Sequence, residues 1–163
     1  MTDEIQHALE ALRACGWRVS LGPRESLPPE ISSRYPWLPD EYREVAEHAR
    51  VLCNAGETAW VLTAGEFAGT SESAYAWNES EQQSLDAADD ENQRAAVQSF
   101  WNRHLPILFS VKSGYAYLAI AQDTLQIVQG EEPEYEDATV VAPSFGELLR
   151  MFALADSKLS RWV

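Results

Sequence analysis

The chain has 163 residues, 45% of them hydrophobic and six of them Trp, which suits one domain (1–163) with a sizeable core. Twelve bases face 26 acids, giving a net charge of −14 and a pI near 4.5. That balance excludes the basic footprint by which proteins grip nucleic acid or anionic membranes, and it admits a basic protein partner.

In chain order, residues 3–15 read as an amphipathic helix. Thr2 is placed to cap it, Ile5, Leu9 and Leu12 share a face, and Gly16 closes it. This acidic start lacks the basic flank and apolar core of a signal peptide, and no apolar run approaches a membrane span, so a soluble cytoplasmic protein is expected. Residues 17–21 alternate apolar and polar as a strand with one buried face does. Five prolines between 22 and 39 mark a turn-rich crossing, with room for one turn of helix at 29–35. The spacing of Tyr42, Val45, Ala49 and Leu52 predicts a second helix over 40–53. Residues 59–63 read as a strand and 65–75 as irregular chain. The segment 79–90 reads as a mobile loop or a frayed helix, and Asp90 as the cap of a helix over 91–104.

Three apolar runs of strand length then follow at 106–111, 115–121 and 125–128. Breaks this short allow only antiparallel hairpins, because a parallel crossover needs a dozen or more residues. This meander is the sheet on which the helices are expected to pack. Residues 131–137 read as an acidic loop and 138–142 as a last strand. Ser144 to Glu147 has the form of a capping box, opening a helix with Phe145, Leu148, Leu149 and Phe152 inward. Trp162 is expected to fold back on the body. The class is α+β: one mainly antiparallel, curved sheet with flanking helices.

Signatures of catalysis are missing. His7, His48 and His104 fall on different predicted helices without metal-ligand spacing. There is no nucleophile elbow, no P-loop and no dinucleotide fingerprint. Cys15 and Cys53 are too few for a disulfide scaffold, and each is expected as a buried free thiol in the last turn of a helix. No metal, no cofactor and no catalytic residue is predicted.

The charge is segregated. Neither 51–93 nor 113–149 contains a Lys or Arg. The acids concentrate in two loops, Glu79, Glu81, Asp86, Asp89, Asp90 and Glu91 in one and Glu131, Glu132, Glu134, Glu136 and Asp137 in the other. A binding surface for a basic protein is expected there, against the plainer reading that acidic loops only confer solubility. Trp37 and Trp77, in or beside loops, are candidate anchors for that surface, or plugs for the sheet edges.

The order of motifs resembles a known family. Leu38-Pro39-Asp40-Glu41-Tyr42 opens a helix, Asn54-Ala55-Gly56 ends it, and Trp60-Val61-Leu62 is a strand. Then come Leu105-Pro106-Ile107, Gly114-Tyr115 and Ser144-Phe145-Gly146-Glu147-Leu148-Leu149. This resembles the SUKH superfamily, which includes the yeast cell-wall assembly regulator and many bacterial immunity proteins. The likeness covers residues 28–155. It departs in the turn between the first two meander strands, with one glycine, and in a long acidic insertion over 66–92. The resemblance implies an immunity protein that binds a nuclease- or deaminase-type toxin. Alternatives are a regulatory scaffold of the cell-wall-regulator type and an unrecognised hydrolase or metal enzyme.

Overall fold

The computed structural model describes all 163 residues. The elements run α1 (Asp3–Ala14), β1 (Arg18–Leu21), α2 (Pro29–Arg34), α3 (Asp40–His48), β2 (Ala49–Cys53), β3 (Ala59–Val61) and α4 (Ala64–Ala68). There follow α5 (Glu79–Ala87), α6 (Glu91–Asn102), β4 (His104–Ser110), β5 (Ala116–Ala121), β6 (Ile127–Glu131), β7 (Thr139–Ala142), α7 (Phe145–Ala153) and a closing 3-10 turn (Ser157–Trp162). The seven strands form one open antiparallel sheet in the order of the chain.

The meander is real, and it extends across the molecule. Strands β4 and β5 are buried along almost their whole length, so both faces of the sheet centre are covered. On one face lie α1 and α7. Trp17 meets Phe152 edge-on at 5.2 Å, and Tyr42 of α3 meets Phe145 at the same distance. On the other lies α6, whose Trp101 packs on Tyr117 at 4.9 Å. Thirty-nine buried residues form one continuous core. Trp162 folds back as expected and is fully buried.

Several local expectations need correction. The helix expected over 40–53 stops at His48, and Ala49–Cys53 is instead a strand beside β1. Ala49 already has extended backbone angles, φ −77° and ψ 137°. The apolar spacing through Ala49 and Leu52 fits either period over so few residues, and the open flank of β1 decided for the strand. His104 begins β4 rather than ending α6. A short helix, α4, occupies part of the stretch expected to be irregular. Cys53 lies on a strand and is buried, and Cys15 is exposed at the end of α1.

One row of residues crosses the sheet. Cys53 pairs with Trp60, Trp60 with Phe109, Phe109 with Tyr117, and Tyr117 with Gly130. The row is aromatic from Trp60 to Tyr117 and then reaches Gly130, where the missing side chain leaves room for other groups. A Cβ there would lie 2.5 Å from the Tyr135 carbonyl oxygen and 2.6 Å from Tyr117 Cε1. The Tyr117 phenol uses that room to donate a hydrogen bond to the Tyr135 carbonyl. Burial holds the Tyr117 proton far above the ordinary phenol range, helped by the charges of Glu136 and Asp137.

Gly130→Ala must therefore push backbone and ring apart. It is expected to cost about 2 kcal/mol or more by chemical denaturation, as overpacked core sites do. It should also raise hydrogen exchange in residues 131–137, while α1 and α7 keep their protection.

Candidate functional site

The two acidic stretches are far apart in sequence and meet in space. Helices α5 and α6 pack together, and the connection between β6 and β7 lies against them. The Tyr135 hydroxyl donates to Gln83 Oε1 of α5 at 2.8 Å. The Trp101 indole N–H of α6 donates to Glu136 Oε1 at 2.8 Å. Between them runs an open groove of about 380 Å³, bordered by Ser84 and Ala88 of the α5 end, Ala96 and Val97 of α6, and Glu134 and Asp137 of the loop.

The candidate acids have different roles in this face. Asp86, Asp89, Glu91, Glu134 and Asp137 are exposed and take part in no ion pair. Asp90 is exposed too, but its Oδ1 accepts the Gln93 N–H at 2.8 Å and caps α6, as its sequence position foretold. Glu131 pairs with Arg161 at 2.8 Å. Glu132 accepts the Tyr115 backbone N–H at 3.1 Å. Glu136 is half-buried and occupied by Trp101. Arg94 spends one guanidinium nitrogen on the Leu85 carbonyl at 3.0 Å, satisfying the end of α5.

Glu81 is not a surface acid. It is only 8% exposed, and both its oxygens accept from Arg34 Nη2, at 3.0 and 2.8 Å. Of the two readings of this segment, mobile loop or frayed helix, the structure shows a helix over Glu79–Ala87, and this pair anchors it to α2. Trp37 and Trp77 belong to the same cluster. Both are half-buried and meet Tyr35 edge-on, at 5.7 and 6.4 Å. The Arg34 guanidinium lies 5.9 Å from the Trp77 ring centre. They plug the structure rather than project from it. Arg34 and Glu81 lie 47 residues apart, and nothing local in the sequence matches one arginine to one acid over that separation.

Beside the groove is a narrower feature that the sequence reading did not find. Trp60 of β3, Phe109 of β4, Tyr75 and Tyr115 of flanking loops, and Tyr135 line a small cleft against Glu79 of α5. Tyr75 lies 5.3 Å from Tyr115 and 5.8 Å from Trp60, and Trp60 lies 5.9 Å from Phe109. The Tyr115 hydroxyl, some burial, and the charges of Glu79 and Glu132 push the Tyr75 phenol up to about 12. Burial, then Glu132 and Glu79, does the same for Tyr135. Both phenols stay protonated at neutral pH. Only a cross-strand register could show that Trp60 and Phe109 stand side by side.

The histidines are locally satisfied. Nδ1 of His7, His48 and His104 lies 2.8, 2.9 and 2.8 Å from the carbonyl oxygen four residues earlier. Each ring therefore donates that proton and leaves Nε2 to accept. No three His, Cys, Asp or Glu side chains are grouped to hold a metal ion. No helix is long and apolar enough to cross a membrane. Comparison with family models, with curated proteins and with solved structures finds no match for this chain.

Two measurements check these assignments. Asp90→Ala is expected to cost about 1 kcal/mol through the lost cap, and Asp89→Ala to stay within about 0.5 kcal/mol of wild type. His104 stacks on Phe100 at 3.9 Å, and burial lowers its pKa below the ordinary 6.5. Between that value and the lowered one, the unfolded chain binds a proton that the native chain refuses, so stability falls on acidification through this window and is unaffected above it. His104→Gln is expected to lose less stability than wild type between about pH 7.5 and 5.5, read as the urea midpoint. Burial raises the Glu66 carboxyl, which has the opposite pH dependence but is common to both proteins.

Proposed function

We propose that the protein is a non-enzymatic binding protein, an immunity factor that occludes the working face of a basic toxin domain of the nuclease or deaminase kind. The observation that carries the reading is that two base-free acidic stretches meet at one groove, which Glu134 and Asp137 line without an ion pair, while Asp86, Asp89 and Glu91 are exposed and unpaired on the flanking α5–α6 segment. Leaving so many like charges together costs the folded state through self-repulsion. A basic surface brought against them would relieve that cost and release the groove's water.

Enzymes that hold nucleic acid carry basic clefts, because phosphate contacts dominate their affinity. An acidic partner is steered to such a cleft and speeds its own capture. The resemblance of the motif order to that of the SUKH superfamily favours the same reading, since immunity to toxins is what that resemblance implies. The acids that would meet the partner are Asp86, Asp89, Glu91, Glu134 and Asp137. Asp90 contributes charge but is bound to its helix, and Glu81 and Glu136 serve the fold.

The test is capture from a lysate of the source strain by the tagged protein, at low and high salt, beside the variant Asp86→Lys, Asp89→Lys, Glu134→Lys. Asp90 is kept, so the α6 cap survives and the variant should fold with wild-type stability. A single basic partner is expected, held by wild type at low salt, weakened at high salt, and associating at least about tenfold more slowly with the variant. Purified protein should then suppress that partner's toxicity on co-expression. A partner bound equally well by the variant would move the interface to another face, and a set of acidic partners would favour a regulatory scaffold.

A further inference from the structure

The aromatic cleft beside the acidic groove has its own chemistry. We propose that it is a recognition slot for the ammonium of a lysine side chain presented by the partner, which rests on the reading of the neighbouring face as a protein-binding surface.

Three observations support the slot. Its walls are aromatic: Trp60, Tyr75, Phe109, Tyr115 and Tyr135 surround it. Ring faces attract a cation electrostatically, most strongly where water is excluded. Its polar edge is anionic and uncompensated. Glu79 lines it, and Glu132 stands at the Tyr115 end. Neither is in an ion pair, and no Lys, Arg or His lines the cleft. Glu79 keeps only a 3.2 Å bond from the Gln83 amide. The third observation is size. The cleft offers about 20 Å³, room for one water-sized group. An ammonium is a compact point charge on a slim alkyl stem, whereas a guanidinium is a broad planar fork. The space therefore selects lysine over arginine.

The position fits a partner. Tyr115 is 39% exposed at the rim, so the slot opens to solvent. Tyr135 forms one wall and sits in the same loop as Glu134 and Asp137, which border the groove. A basic surface lying across α5 would reach both, with several bases over the groove and one lysine inserted in the slot.

The test is an NMR titration of the full-length protein, reading the Trp60 indole N–H, which is buried without an acceptor and reports on the cleft wall. The probes are Nα-acetyl-lysine methylamide, Nα-acetyl-arginine methylamide and the neutral Nα,Nε-diacetyl-lysine methylamide. Saturable shifts are expected with the lysine compound, weaker ones by roughly tenfold with the arginine compound, and none with the neutral one. Glu79→Gln, which keeps shape and removes charge, should weaken the lysine compound by about tenfold, and Tyr115→Ala should weaken it at unchanged stability. Equal shifts from the neutral compound, or unaltered lysine binding in Glu79→Gln, would overturn the proposal. The two readings fail separately. A slot that ignores lysine in a protein still capturing a basic partner removes the slot alone. A slot that binds lysine in a protein without a partner removes only the immunity reading.

Discussion

The hydrogen bond from Tyr117 to the Tyr135 carbonyl, made across the empty side of Gly130, is the contact on which the acidic face depends. It joins the centre of the sheet to a loop that would otherwise be a chain of mutually repelling carboxylates. Glycine is needed because the space it leaves is already filled by a phenol and a carbonyl. Once that loop is fixed, Tyr135 can bond Gln83 and Glu136 can receive Trp101, so α5 and α6 are tied to the same edge. The groove and the cleft are the two gaps left on either side of this tie.

The same region shows how an acidic protein tolerates its own charge. Some carboxylates are taken inward and given strong donors, as Glu81 is by Arg34. A buried acid without such a partner would carry a desolvation penalty of several kcal/mol. Others cap a helix or a backbone N–H, as Asp90 and Glu132 do. Glu47 is a further case: only 3% exposed, it accepts from Arg24 at 2.7 Å and from the Leu27 N–H at 3.2 Å. Exposed acids outside any ion pair remain over much of the surface, Asp3, Glu30, Asp40 and Asp123 among them, and the α5–α6 junction with the β6–β7 loop adds Asp86, Asp89, Glu91, Glu134 and Asp137.

Much of the fold was legible in the chain. Thr2, Asp90 and Ser144 cap their helices through the hydroxyl or carboxylate their positions suggested. The three meander runs pair as the short turns required. The errors lie where a local pattern fits two periods. Ala49 to Cys53 satisfies a helical stripe and a strand alike, and the chain chose according to its neighbour. Residues 79–90 read as a mobile loop or a frayed helix because their acids are expected in solvent. Glu79–Ala87 form a helix, and Arg34, far back in the chain, supplies the charge that lets its Glu81 be buried.

The site was legible in charge and illegible in geometry. The base-free stretches show in the residue list, because charge is a property of each side chain wherever it goes. So do the capping residues and the short antiparallel turns, which act over four or five residues. Local chemistry along the chain dictates an acidic, helix-flanked antiparallel sheet with charge concentrated in two segments. Only the tertiary structure decided that those segments share one groove, that Glu81 and Glu136 leave the surface, and that Trp60, Phe109 and Tyr75 close a cleft against Glu79. Those outcomes depend on strand register and on pairings across tens of residues, where many partners are chemically equivalent and packing alone selects among them.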